Sequence, residues 1–460
     1  MTAPAGRAAD PILPLAEVRP GMQCTGLSAI RGTELSSFDV EVIDVIGRET
    51  GLSGPRILVR VSGPAVDDTG IGFGFSGSPI ICDGRNAGAI SEGVGEYGND
   101  VALATPIEEI LSSRPARPTA ARSAPRLARA ARPLTGPLTA SGLSGRTRRL
   151  FTRAAERRDL TVLAAPAGPI GGYAPVDLRP GSAVAAALAT GDISLGGVGT
   201  VAYRDGENVW AFGHPLDNLG RRSLFLQDSY VYSVVSNPLG IPPFVSYKLA
   251  TAAGHVLGSV TSDTSSSVAG IVGAEPPSIP LRVVGRTSGG RVVALQSRLA
   301  DERALGLGAG LALITPLAAS QTVEALMGSS APVSFSMCFR LRVQELARPM
   351  GFCNPYFALS SALGHLREAG DLVDSFDLAP LNIRDAELRI RARPDVTQDV
   401  LIDADAPRRV RPGQRMRVRL VVQRRRGPRR RISGSLRIPP SLDPGRHTIV
   451  LEGHGEEFSA

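Results

Sequence analysis

Apolar runs in this chain are short, and Gly or Pro cuts them again and again: 52 Gly and 36 Pro stand among 460 residues, with only 5% aromatics. Such punctuation favours many short strands joined by turns and leaves few places for long helices. Where a run is long enough to show a period, the period is two. Phe38-Asp-Val-Glu-Val-Ile-Asp-Val-Ile46 carries apolar residues at alternate positions over most of its length, the pattern of a half-buried strand. The chain is also too long for one core, so several units are expected.

Residues 16–111 read as β. A second strand spans 56–61, and 79–82 with 87–90 forms a hairpin around Asp83-Gly84. Thr105-Pro106 opens a short helix, with Thr105 as cap and Pro106 at the first helical position. Residues 112–175 form a linker: 112–131 is Pro/Ala/Arg-rich without a hydrophobic period, and a short amphipathic helix follows over 145–158. Residues 176–320 are β again, with a hairpin at 197–212 turning on Asp205-Gly206 and later strands near 259–261, 271–272, 281–284 and 292–295. Residues 321–385 are a mixed α/β connector with a strand at 335–343 and a helix at 356–369. Residues 386–460 read as a small β-sandwich-like module with turns at Pro412-Gly413 and Gly427-Pro428.

Net charge is +8, and nearly all the positive charge is Arg; Lys248 is the one lysine. The excess sits mostly in two runs, 114–132 and 424–431, almost without aromatics. A nucleic-acid surface would interleave aromatics with its basic residues, so no nucleic-acid partner is expected, and the second run reads as a solvated hairpin tip. Cys24, Cys82, Cys338 and Cys353 form no C-x-x-C pair and have no His at ligand spacing, so no metal or other cofactor is expected. Two disulfides in any of three pairings, or four buried thiols, fit equally. No apolar run approaches the ~20 residues of a membrane span, and 1–22 shows no signal peptide.

The segment richest in chemistry is Gly72-Phe73-Gly74-Phe75-Ser76-Gly77-Ser78-Pro79. A serine between glycines, just before a strand, can sit on a tight turn with its hydroxyl exposed. Gly74 lets the N–H groups of Gly74 and Ser76 converge on one point, an oxyanion hole in which each donor can be worth ~2.7–4 kcal/mol. Ser78 fits that frame less well, and a Gly/Ser-rich loop between strands is the plain alternative. A serine nucleophile needs a base. Of the five histidines, His365 lies in a helical stretch, His447 and His454 lie in the C-terminal module and its tail, and His255 follows Ala253-Gly254. His214, in Trp210-Ala-Phe-Gly-His-Pro215, ends an apolar strand on a glycine turn and is the best-held candidate.

Both segments resemble the SpoIVB peptidases, the serine peptidases named for stage IV sporulation protein B. The likeness extends over Val18-Arg-Pro-Gly-Met22, Gly26-Leu-Ser-Ala-Ile-Arg-Gly32, Phe38-Asp-Val-Glu-Val42, Thr69-Gly-Ile-Gly-Phe-Gly-Phe-Ser-Gly-Ser-Pro-Ile80 and Gly84-Arg-Asn-Ala-Gly-Ala-Ile90. It resumes at Gly196-Gly-Val-Gly-Thr-Val-Ala-Tyr203, Ala211-Phe-Gly-His-Pro215, Val256-Leu-Gly-Ser-Val-Thr-Ser262 and Gly270-Ile-Val-Gly273. The resemblance implies a trypsin-like double β-barrel, with Ser76 as nucleophile and His214 as base. The order is reversed relative to the family, serine half first, as in a circular permutation. The family's acidic residue would fall just before Pro64, where this chain has Gly63. Asp67, Asp68 and Asp217 are the candidates left for the third member, with Asp205 also near His214 in sequence; loss of an orienting carboxylate can cost ~10⁴ in rate.

The expectation is therefore a serine endopeptidase acting through an acyl-enzyme on a protein or peptide substrate. The family's members act outside the cytoplasm, which leans the reading towards an extracytoplasmic protein and allows envelope association. The competing expectation is an inactive peptidase fold that binds peptides or partner proteins. A third, a salt-sensitive Arg-rich protein that binds nucleic acid or the envelope surface, has the least support.

Overall fold

The computed structural model describes residues 10–47, 54–94, 98–116, 138–157, 162–166, 172–237, 246–305, 308–328, 334–379, 381–393, 399–424 and 427–449. Most of the Arg-rich segment 112–131 and His454 lie outside the described residues. The fold is mainly β, with a closed six-stranded barrel in each of its two large sheets.

The first barrel contains β1 (Gln23–Arg31), β2 (Glu34–Ile46), β3 (Arg56–Ser62), β4 (Pro79–Cys82), β5 (Arg85–Gly93) and β6 (Val101–Pro106). They run in the order β1-β2-β3-β6-β5-β4, and β4 closes on β1. The alternation seen in the sequence is the reason it closes around a core. Phe38, Val40 and Val42 on β2 and Ile57, Val59 and Val61 on β3 all point inward and are buried. Asp83 and Gly84 both have positive φ (49° and 74°), the two-residue turn that suits the twist of the flanking strands. A Cys24–Cys82 disulfide ties β1 to β4. Helix α1 (Ile107–Leu111) follows directly, but Thr105 does not cap it: Pro106 is the N-cap residue, and the Thr105 hydroxyl donates to the Gly213 carbonyl at 2.6 Å instead.

Between the barrels lie β7 (Leu138–Ser141), α2 (Gly145–Glu156) and β8 (Val162–Ala164). The helix expected over 145–158 is α2; β7 and β8 extend the second sheet, so this span is more than a linker.

The second barrel contains β9 (Ala183–Gly191), β10 (Ser194–Asp205), β11 (Asn208–Ala211), β12 (Gly220–Asp228), β15 (Val256–Asp263) and β16 (Val268–Val272), closed by β9–β10 pairing. Around the ring the order is β9-β10-β11-β16-β15-β12. Counted within each barrel, both follow first-second-third-sixth-fifth-fourth. A hairpin, β13 (Val231–Val235) and β14 (Tyr247–Ala250), is inserted between the fourth and fifth strands of the second barrel. Ala89, Ile107 and Ile110 of the first unit pack against Ala202, Tyr203, Trp210 and Ala269 of the second. This shared apolar cluster makes one composite unit.

The second sheet continues as β17 (Ser278–Thr287) and β18 (Val292–Ala300), then beyond helix α3 (Gly310–Met327) as β19 (Ser334–Val343), β20 (Met350–Tyr356) and, after helix α4 (Leu359–Asp374), β21 (Ile383–Arg393). β17 pairs in parallel with β21, which pairs antiparallel with β19. Residues 321–385 are thus no connector: they share the largest core of the molecule with β17 and β18. Likewise β21 belongs to this unit and not to the C-terminal module, because its inward residues Ala386, Leu388 and Ile390 fill that core. α3 has apolar residues all round, and by length and composition it could cross a membrane; 67% of it is buried inside the fold. A Cys338–Cys353 disulfide joins facing residues of β19 and β20. At the C-terminal end stands one three-stranded antiparallel sheet, β22 (Asp399–Asp405), β23 (Arg415–Arg424) and β24 (Arg429–Arg437). The expected second layer of a sandwich is absent among the described residues.

Candidate active site

Ser76 lies on the connection from the third to the fourth strand of the first barrel, and His214 on the same connection of the second barrel. Matching positions in two barrels of equal strand order bring residues 138 apart in sequence to one seam. The two turns abut through their backbones. A Cβ on Gly77 would lie 2.6 Å from the Phe212 nitrogen and 1.9 Å from the Thr200 carbonyl oxygen. Thr200 N–H donates to the Ser76 carbonyl at 2.8 Å. No side chain would fit at Gly77, whose φ is +95°.

The serine turn follows the conformation its glycines permit. Gly74 has φ +90° and Gly77 φ +95°. The N–H groups of Phe73, Phe75, Gly77 and Ser78 donate to Ser246, Gly72, Ile90 and Phe75 carbonyls respectively. The N–H groups of Gly74 and Ser76 have no acceptor among the described residues. These are the two donors assigned from the sequence to an oxyanion hole. The Ser76 hydroxyl, half-buried, also has no partner among the described residues. Ser78, the weaker nucleophile candidate, is fully buried with its Oγ 2.9 Å from Ser28 Oγ.

His214 is stacked on Phe212, ring centroids 5.9 Å apart. Phe212 itself has φ +69°, and its ring fills the space that glycine at 199 leaves open on β10. His214 Nδ1 lies 2.7 Å from the Pro215 carbonyl oxygen. A carbonyl can only accept, so Nδ1 carries the proton and Nε2 keeps its lone pair, the tautomer of a general base. Burial lowers the His214 pKa from its ordinary value, against an opposing pull from the Pro215 carbonyl and from Glu92. The shift favours the neutral imidazole. No hydrogen bond joins Ser76 to His214; such contacts are often long before substrate binds.

None of the carboxylates proposed as third member reaches His214. Asp67 accepts the Gly63 N–H at 2.6 Å and closes its own turn. Asp68 is exposed, and its carbonyl accepts the Ser236 hydroxyl. Asp205 sits at the hairpin turn facing Asn208. Asp217 pairs with the buried Arg222, which also binds Glu302 at 2.7 Å. Buried Asp263 accepts the N–H groups of Leu216 and Asp217 at 2.7 and 2.9 Å, so this ion cluster anchors the loop after His214. Burial pushes the Asp263 carboxyl up to about 7, with the Asp217 carboxyl beside it adding to the rise. Gly63 has φ +102°, a conformation that disfavours an aspartate there. The charges of Glu92 and of the buried Arg56 it pairs with at 3.0 Å act on His214 in opposite directions, Glu92 raising its pKa and Arg56 lowering it.

Nothing in the sequence pattern marks a role for Lys248. Hairpin β13–β14 runs beside the serine turn: Phe73 N–H donates to Ser246 O and Lys248 N–H to Phe73 O, both at 2.9 Å. This brings the Lys248 side chain, 4% exposed, beneath the turn. Its Nζ donates to Ser28 Oγ at 2.7 Å and to Thr200 Oγ1 at 3.0 Å, and lies 4.7 Å from the Phe75 ring centre. Thr200 Oγ1 in turn donates to the Gly74 carbonyl at 2.8 Å. A chain of buried hydrogen bonds thus runs from Ser78 through Ser28, Lys248 and Thr200 to Gly74, fastening both ends of the turn that carries Ser76. Among the described residues no carboxylate offsets the amine, and burial lowers its pKa to about 7.

The other described histidines have different work. His255 Nδ1 lies 2.9 Å from buried Asp228, whose carboxylate also accepts the Tyr173 hydroxyl and the Val176 and His255 N–H groups, which fastens 173–176 to β12. His365 Nδ1 lies 3.0 Å from the Tyr356 hydroxyl, and His447 Nε2 lies 2.8 Å from the Asp443 carbonyl. Comparison with protein-family models, with curated proteins and with solved structures finds no match.

Proposed function

We propose that this protein is a serine endopeptidase with a trypsin-like double barrel, similar to the SpoIVB peptidases in reversed order, acting at the seam between its barrels. The observation that carries the reading is the placement of Ser76 and His214 on equivalent connections whose backbones abut, with the Gly74 and Ser76 N–H groups both left without acceptors among the described residues. In the reaction, Ser76 Oγ attacks the peptide carbonyl and its proton passes to His214 Nε2. The Gly74 and Ser76 N–H groups hold the oxyanion. The C–N bond breaks as His214 returns that proton to the leaving amine. Water, giving a proton to Nε2, then attacks the ester and frees Ser76. The Pro215 carbonyl takes the orienting part that a carboxylate plays in other triads, which implies slower catalysis than a full triad supports.

That same carbonyl favours a second reading, a peptidase fold that binds peptides or partner proteins without cleaving them. A fluorophosphonate probe separates the two. Labelling of Ser76 that depends on His214 supports the peptidase; folded protein that is never labelled supports the binding protein.

A further inference from the structure

The small sheet β22–β24 has two unlike faces. Pairing sets Arg415 opposite Arg437, Arg417 opposite Ser435, Arg419 opposite Ser433, Val421 opposite Arg431 and Gln423 opposite Arg429. Facing residues, and residues two apart on a strand, share a face. Arg415, Arg417, Arg419, Arg429, Arg431 and Arg437 therefore stand together on one face, and all six are exposed. From β22, Asp403 and Asp405 join them. Asp405 pairs with Arg419 at 3.1 Å, while Arg415, Arg417, Arg431 and Arg437 have no ion pair among the described residues. The opposite face carries Met416 and Val418, buried with Ile438. Like charges set directly opposite, as Arg415 and Arg437 are, cost stability, so this arrangement does not serve the fold of the sheet.

Six arginines against two aspartates match an extended anionic surface. Three features choose which one. The described part of the sheet has no aromatic residue on which bases could stack. All four cysteines are paired in disulfides, as in an oxidising compartment where nucleic acid is not the usual polyanion. Val400, 45% exposed on the edge strand β22 and facing Gln423, adds to the arginine face an apolar side chain of the kind that enters the headgroup layer. We propose that the six-arginine face of this sheet docks the protein on an anionic lipid bilayer.

The test is co-sedimentation of the full chain with vesicles of phosphatidylcholine alone or mixed with phosphatidylglycerol, at low and high salt. A triple variant, Arg415→Gln, Arg417→Gln and Arg437→Gln, is compared with an equal-charge control, Arg148→Gln, Arg149→Gln and Arg153→Gln, on the exposed side of α2. The wild type should bind the anionic vesicles only and release at high salt. At ~1 kcal/mol per arginine, the face variant should bind about 100-fold more weakly, while the control binds as the wild type does. Equal loss in both variants, binding to neutral vesicles, or tighter binding to duplex DNA than to vesicles would overturn the proposal.

Discussion

Replacing Lys248 by Met tests the network beneath the serine turn. In the folded protein burial lowers the amine's pKa to about 7 from an ordinary 10.5. Between those values the unfolded chain binds a proton that the folded chain does not, so wild-type stability rises with pH. Each pH step of one across that window adds at most about 1.4 kcal/mol, and between about pH 7 and 9 the gain comes to roughly 2 kcal/mol. Below the folded pKa the dependence on this group levels off, with the full burial cost in place. Met has similar length and no charge to bury. Ser28 keeps Ser78, and Thr200 keeps the Gly74 carbonyl. K248M should therefore melt above the wild type in mild acid, with the difference shrinking as pH rises. Taking the difference between the two proteins cancels groups common to both, including Asp263. Thermal unfolding across the pH range is the assay. A wild-type-to-variant difference that does not change with pH would refute this reasoning. The same variant should lose fluorophosphonate labelling by roughly 10- to 100-fold, because small displacements of the reacting group carry losses of that size.

Labelling of the wild type should rise with pH to a plateau, with its midpoint below the ordinary histidine value, since burial lowers His214 and its neutral form is the base; a midpoint above that value would contradict the assigned tautomer and burial. Gly77→Ala should fail to accumulate as folded protein, because its Cβ meets backbone atoms of Thr200 and Phe212 at 1.9 and 2.6 Å; a stable, labelled alanine variant would show the turns are not packed as described. Asp67→Asn and Asp68→Asn should label at the wild-type rate. Asp217→Asn should lower the melting temperature by loosening the Arg222 cluster; a ~10⁴-fold loss of labelling with no change in melting would restore it as an orienting carboxylate.

The β character and the strands β2 and β3 were legible because each buries one side, so a period of two marks them; their closure into a barrel was implied only by the resemblance. Asp83-Gly84 was equally plain, since few residue pairs hold two positive φ values. The serine and histidine turns could be found because glycines must stand where backbones nearly touch, as at Gly77. The third unit was misread for a physical reason: α3 is buried on most sides and has no polar stripe to mark its period. β21 looks like the C-terminal strands in sequence, and only its pairing with β17 and β19 separates them. Lys248 was visible as the one lysine, yet its role depends on β14 pairing with Phe73, 175 positions away in sequence. The four cysteines carried no pairing information, because strand neighbours such as Cys24 and Cys82 become adjacent only when the barrel closes.

Fluorophosphonate labelling of the purified protein, wild type against Ser76→Ala and His214→Ala, tests the central claim most directly. The expected result is a single labelled serine in the wild type, with labelling abolished in Ser76→Ala and lowered by several orders of magnitude in His214→Ala, while both variants melt like the wild type. Labelling that survives in folded Ser76→Ala, or folded wild type that never reacts, would contradict the claim.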